Sequence, residues 1–180
     1  GRSIFRQADR ENQLIQLMRV NLLKRMESSI HSFVLTVEKI SQRIENTLAI
    51  IEKHEGEYHA DLNIEELDFD EDGLDMDDLV FGSKVKVLLQ DMDLIKWRQD
   101  LQLDLEELQE ILQSAKVITP IRDNKLQTLK NRIADKIQNP INAGNGKLII
   151  FTAFADTAEY LYENIAPQME PLGIYTALVT

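Results

Sequence analysis

The chain has 180 residues, enough for one large or two small domains, and 43% of them are hydrophobic, so a core can form. With 6% aromatics the core falls to Leu, Ile and Val, and with no cysteine neither disulfides nor thiolate metal sites are available. The net charge of −11 belongs to one stretch: residues 54–83 hold twelve Asp/Glu and no Lys/Arg, while residues 1–53 balance at +3 and 84–180 at −2, so phosphate is repelled only there.

Residues 9–53 contain no Gly and no Pro. Ile30, Val37, Ile44 and Ile51 recur every seven residues, with Phe33, Val34, Ile40 and Leu48 beside them. Upstream, Leu14, Leu17, Met18, Leu22 and Met26 prolong the stripe. The spacing predicts a long amphipathic helix, or two with a subtle break. A helix of that length needs partner helices. Gly56 is a plausible stop, and the acidic residues of 54–83 follow as an irregular connector.

Ser83 can cap a new helix. Val85, Leu88, Leu89, Met92 and Ile95 form its stripe, followed by Leu101, Leu105, Leu108, Ile111, Leu112 and Ala115. This segment is expected to fold back on the first as an antiparallel hairpin. Trp97 is a candidate packing anchor between them. Thr119-Pro120 interrupts the segment. Asp123 caps a shorter helix with Leu126, Leu129, Ile133 and Ile137 on one face. Asn139-Pro140 and Asn142–Gly146 form a loop.

Lys147–Thr152 is an apolar run of the kind found in buried parallel strands. Asp156-x-x-Glu159 fits a capping box that opens a helix, with Ala158, Leu161, Tyr162 and Ile165 facing inward and Pro167 near its end. Residues 174–180 read as a second strand, which makes a βαβ unit. Two strands do not complete a doubly wound sheet, so the chain is expected to be a segment of a larger protein. The fold class expected is mostly α with a partial α/β unit: a helical region at 1–118, with the acidic loop 54–83, then the start of an α/β domain at 119–180. No apolar run approaches the ~20 residues of a membrane span. The reading is of a cytoplasmic protein without a membrane partner.

Asp68-x-Asp70-x-Asp72-Gly73 matches the first half of an EF-hand calcium loop, but Leu79 stands where a bidentate Glu is needed, and a solvated acidic loop is the reading taken. Gly144-Asn145-Gly146-Lys147 is no phosphate loop, because it precedes a strand, and Leu148 replaces the required Ser or Thr. His31, His54 and His59 offer no site. Ser28 and Ser29 read as helix-surface hydroxyls that point to solvent or back-bond to carbonyls. Residues 122–147 hold six Lys/Arg against two Asp, a basic stretch able to meet nucleic-acid phosphates.

Residues 123–165, with Asp-Asn-Lys-Leu-Gln-Thr-Leu at 123–129 and Lys-Leu-Ile-Ile-Phe-Thr-Ala-Phe-Ala-Asp-Thr-Ala-Glu-Tyr-Leu at 147–161, resemble the entry to the second RecA-like domain of superfamily-two helicases, especially the bacterial Swi/Snf-related type. The second stretch is similar to the family's motif IV. Residues 20–29 (Val-Asn-Leu-Leu-Lys-Arg-Met-Glu-Ser-Ser) resemble a helix found between the two RecA-like domains of those proteins. The likeness covers about a third of the chain.

It implies long antiparallel helices followed by an incomplete RecA-like βαβ. It also implies a parent protein that couples ATP hydrolysis, with Mg, to movement on nucleic acid, with DNA preferred. Phe151, Thr152, Ala153 and Phe154, together with Lys125, would then meet the nucleic-acid backbone, beyond the carboxyl ends of the strands. The other partner implied is the first RecA-like lobe of the same chain. Walker A, Walker B and arginine-finger motifs do not occur in this sequence, so no ATP or Mg is expected on it and no catalytic residue is assigned. The alternative is a helical interaction module whose long helices self-associate, which the heptad spacing at 30–51 supports.

Overall fold

A computed structural model describes the backbone of residues 4–54 and 94–180, and the side chains of 12–52 and 94–180. Five α-helices occur among these residues: α1 (Ile4–Ser28), α2 (Ile30–His54), α3 (Leu94–Lys116), α4 (Asn124–Gln138) and α5 (Ala155–Met169). The mostly-α class is therefore observed. None of these helices is long and apolar enough to cross a membrane. The acidic connector, its partial calcium motif, His59, Gly56, Ser83 and the apolar residues 85–92 lie outside the described residues.

The first long helical segment is two helices, interrupted at Ser29. The heptad stripe of α2 turns inward: Val37 and Ile51 are buried, and Ile30 and Ile44 are half-buried. The upstream stripe does so only in part: Leu14 and Leu22 are half-buried, while Leu17, Met18 and Met26 on α1 are exposed. On α3, Leu101, Leu105, Leu108, Leu112 and Ala115 keep a 4-3-4-3 spacing on one side, with Leu112 and Ala115 buried. Ile111, one position off that row, is exposed.

Contacts gather the chain into two units: Gly1–Asn21 with Lys39–Gln109, and Leu22–Glu38 with Glu110–Thr180. In the first, Ile51 is buried and Trp97 half-buried. The second contains a core of Leu126, Ile133, Tyr160, Ile165 and Met169, with Leu129, Ile137, Leu161 and Ile174 packed on it. Full burial of an aliphatic side chain of this size stabilises by about 1.5–3 kcal/mol, which makes this cluster the organising centre of its unit.

Asp123 caps α4 as its position predicts, its Oδ1 accepting from the amides of Lys125 at 2.9 Å and Leu126 at 3.0 Å. The four apolar residues expected on the inner face of α4 all meet the core. The loop after α4 turns through Gly144 at φ +76°, where a side chain would be strained.

α5 departs from expectation in three ways. Its N-cap is Phe154, without a side-chain cap, and Asp156 lies inside the first turn. The Asp156 carboxylate pairs elsewhere, so no capping box forms. Of the expected inner face, Ile165 is in the core and Leu161 packs on it, but Tyr162 is exposed, and Tyr160 and Met169 complete the buried side. Pro167 is inside the helix, in its last turn, and a 3₁₀ turn over Glu170–Leu172 closes it on Gly173 at φ +72°.

The strands expected at 147–152 and 174–180 are not formed among the described residues. Ile149 and Phe151 are 76% and 90% exposed, and Tyr175 and Val179 are exposed as well. An apolar β-branched run supplies only half of a strand. The rest is a neighbouring strand that accepts its backbone hydrogen bonds, and these segments have none here.

Candidate functional site

Among the described residues, a densely paired polar cluster lies within the second unit, at the interruption between α1 and α2. Arg25, on the last turn of α1, is 4% exposed. Its Nη1 donates to Asp156 Oδ2 at 2.8 Å and to Ser32 Oγ at 3.3 Å. The same guanidinium lies over the Phe154 ring, 4.5 Å from its centroid. A buried guanidinium is held by a carboxylate, a hydroxyl and an aromatic face, which together replace its water.

Beside the ion pair is a row of hydroxyls. Ser28 Oγ donates to Thr157 Oγ1 at 2.9 Å, and Thr157 Oγ1 lies 3.0 Å from Ser29 Oγ. Ser29 Oγ accepts from the Ser32 amide at 3.0 Å, the bond an N-cap serine makes, and so opens α2. Thr36 Oγ1 continues the polar side of α2 by donating back to the Ser32 carbonyl. Residues 25–32 thus meet residues 154–157 across more than 120 positions of sequence.

A second set of contacts flanks the first. His31, itself exposed, stacks on Tyr160 at 4.9 Å between centroids and 10° between planes. Tyr160 Oη donates to Asp123 Oδ2 at 3.0 Å. Burial, that hydrogen bond and the Asp123 charge push the phenol above its ordinary range, so it stays a donor. Asp123 therefore serves two elements at once, capping α4 with one oxygen and holding α5 with the other. A Lys116–Glu38 ion pair at 2.6 Å joins α3 to α2 on an exposed edge of the same unit.

The residues singled out for nucleic-acid contact are placed as follows. Phe151 and Ala153 are exposed. Thr152 is half-buried and its Oγ1 donates to the Phe154 carbonyl at 2.9 Å, which fixes the turn into α5. Phe154 is half-buried under Arg25. Lys125 is spent otherwise: its Nζ donates to the carbonyls of Glu27 and Ser28 at the end of α1. The structure brings Phe154 and Lys125 to the same joint and leaves Phe151 outside it.

Sequence reasoning missed Arg25, Ser32, Thr157 and Tyr160, and placed Ser28 and Ser29 on a free helix surface. The available signal was that Arg25-x-x-Ser28-Ser29 and Asp156-Thr157 both fall inside the strings that carry the family resemblance. Chemically the cluster is a clasp. Its hydroxyls pair with one another and with a guanidinium, which cannot take a proton, so the arrangement fixes conformation and activates no nucleophile.

Comparison with protein-family models, with curated proteins and with solved structures found no match for this chain.

Proposed function

We propose that the chain is part of an ATP-dependent nucleic-acid helicase or translocase of the superfamily-two, Swi/Snf-related type, contributing a helical inter-domain region and the entry to the second RecA-like lobe. The observation that carries this reading is the clasp. The strings at 20–29 and 147–161 resemble two separate parts of that family, and their residues Arg25, Ser28 and Ser29 bond to Asp156 and Thr157. That the two strings meet in one buried cluster, through an Arg25–Asp156 ion pair and hydroxyl bonds, supports the reading. In this reading the extended segments at 147–152 and 174–180 are strands of the lobe's sheet, and Phe151, Thr152 and Ala153 face the nucleic-acid backbone. Lys125 is left a smaller part there, its ammonium already on two carbonyls.

The residues present do not form an ATP cradle, for the sequence has neither the phosphate loop nor the metal-holding carboxylate that phosphoryl transfer requires. ATP and Mg belong, in this reading, to the whole protein, where hydrolysis drives movement. The clasp's part is to hold the inter-domain helix on the lobe, so that motion of one is carried to the other.

The test is ATP hydrolysis by the product of the complete open reading frame, with and without duplex DNA. Stimulation by DNA is expected. Lack of hydrolysis, or turnover by the 180-residue chain alone, contradicts the reading.

A second reading, a helical interaction module, is favoured by the exposed apolar residues of α1, among them Ile15, Met18, Val20 and Leu23. Light scattering of the chain separates the two: a stable dimer supports the module, and a monomer removes it.

A further inference from the structure

We propose that the interruption between α1 and α2 is a conditional break, held open by Lys125, that closes into one continuous helix when α4 and α5 release the joint. The inference rests on backbone accounting and is independent of the helicase reading.

A helix normally breaks for an identifiable cause: proline, glycine, or a side chain inserted into its hydrogen-bond ladder. Residues 9–53 contain neither Gly nor Pro, so the local sequence supplies no covalent reason for a stop. The ladder is intact on either side of the joint. Ser29 N donates to the Arg25 carbonyl at 3.0 Å and Phe33 N to the Ser29 carbonyl at 3.2 Å, both four residues back, as in an uninterrupted helix.

Three acceptors lie between those bonds, the carbonyls of Met26, Glu27 and Ser28, and none takes the amide four residues on. In a continuous helix the Glu27 and Ser28 carbonyls would receive the amides of His31 and Ser32. Here both receive Lys125 Nζ, with 3.0 Å to Ser28 O. The Ser32 amide has gone to Ser29 Oγ instead, at 3.0 Å. The break is thus one turn deep, and two side chains, one local and one from α4, occupy its Glu27 and Ser28 carbonyls and its Ser32 amide; the Met26–Ile30 bond opens with them. An ammonium on the last carbonyls of a helix is also favourably placed against the helix dipole, which helps hold α1 closed at Ser28.

The remaining contacts bring α5 to the same turn: Arg25 to Asp156, and Ser28 and Ser29 to Thr157. Docking of α4 and α5 is therefore read out as a helix stop. Withdrawal of Lys125 frees two carbonyls that lie in helical register with their amides. The joint converts the presence of the α4–α5 half of the unit into a choice between two helices and one. An event that lifts Phe154 off Arg25, or draws α5 away, would act through it.

The test is amide hydrogen exchange on the whole chain, read at His31 and Ser32, in Lys125→Met and Ser29→Ala. Methionine keeps the length of the side chain and removes its donors. Alanine removes the hydroxyl that takes the Ser32 amide. Exchange at His31 is expected to slow at least tenfold in K125M, and at Ser32 in S29A, with Leu126 and Ile133 in α4 unchanged. Unchanged or faster exchange at both positions overturns the proposal. So does faster exchange that extends to Leu126 and Ile133, because a break that heals should not loosen the core.

Discussion

Arg25 and Asp156 form the contact on which the joint depends most. Both are buried, at 4% and 6% exposure, and Asp156 Oδ1 is the one buried side-chain atom among the described residues without a hydrogen-bond partner. The carboxylate is therefore held by a single strong bond to Arg25 and not by a redundant network. Removing one partner from a buried pair strands the other charge, at a cost of about 3–5 kcal/mol. Arg25→Met is expected to lower the unfolding free energy by that amount in urea titration.

Tyr160 offers a pH test. Burial first, then the Asp123 bond and charge, raises its pKa above the ordinary 10.0. The folded chain thus binds the phenolic proton more tightly than the unfolded chain does. The associated stability is complete below about pH 10 and lost as pH rises through the folded value. Urea midpoints measured from pH 9 upward, in roughly half-unit steps, are expected to fall more steeply for the wild type than for Tyr160→Phe.

At the scale of elements, what was readable in the sequence was what is locally determined. α4 follows from Asp123 and the row Leu126, Leu129, Ile133 and Ile137, because cap and stripe lie within one short stretch and need no distant partner. Asp123→Ala is expected to cost about 1–2 kcal/mol through the lost cap, and to reduce helical circular dichroism at a given urea concentration. In α5, Ile165 and Leu161 face inward as expected, but the start of the helix and Tyr162 were misread, for the opposite reason. Asp156 looks like a cap from its neighbours, but its partner is Arg25, 131 positions away. With that carboxylate turned to α1, Tyr160 and Met169 join the inner face and Tyr162 the outer. The interruption at Ser29 was foreseen as a subtle break but could not be located, since its causes are Lys125, which is distant, and a serine hydroxyl that looks like any other on a helix.

At the scale of the whole molecule, two kinds of long-range information were hidden. One is pairing: residues 147–152 and 174–180 have strand composition but no ladder here, because a strand is a property of two segments. The other is the grouping of residues 22–38 with 110–180, which no linker or composition shift announces. Of the residues singled out in the sequence, Phe154 and Lys125 fall at the joint and Phe151 does not, while the pairing of Arg25, Ser28 and Ser29 with Asp156 and Thr157 was not legible, because its partners lie more than 120 positions apart. The central claim is that these two distant strings act as one unit. A double-mutant cycle on the intact chain, with Arg25→Met, Asp156→Asn and the pair compared by urea unfolding, tests it most directly. A coupling of about 2 kcal/mol or more is predicted, so that the double variant loses clearly less than the sum of the two single losses. Additive losses would contradict it.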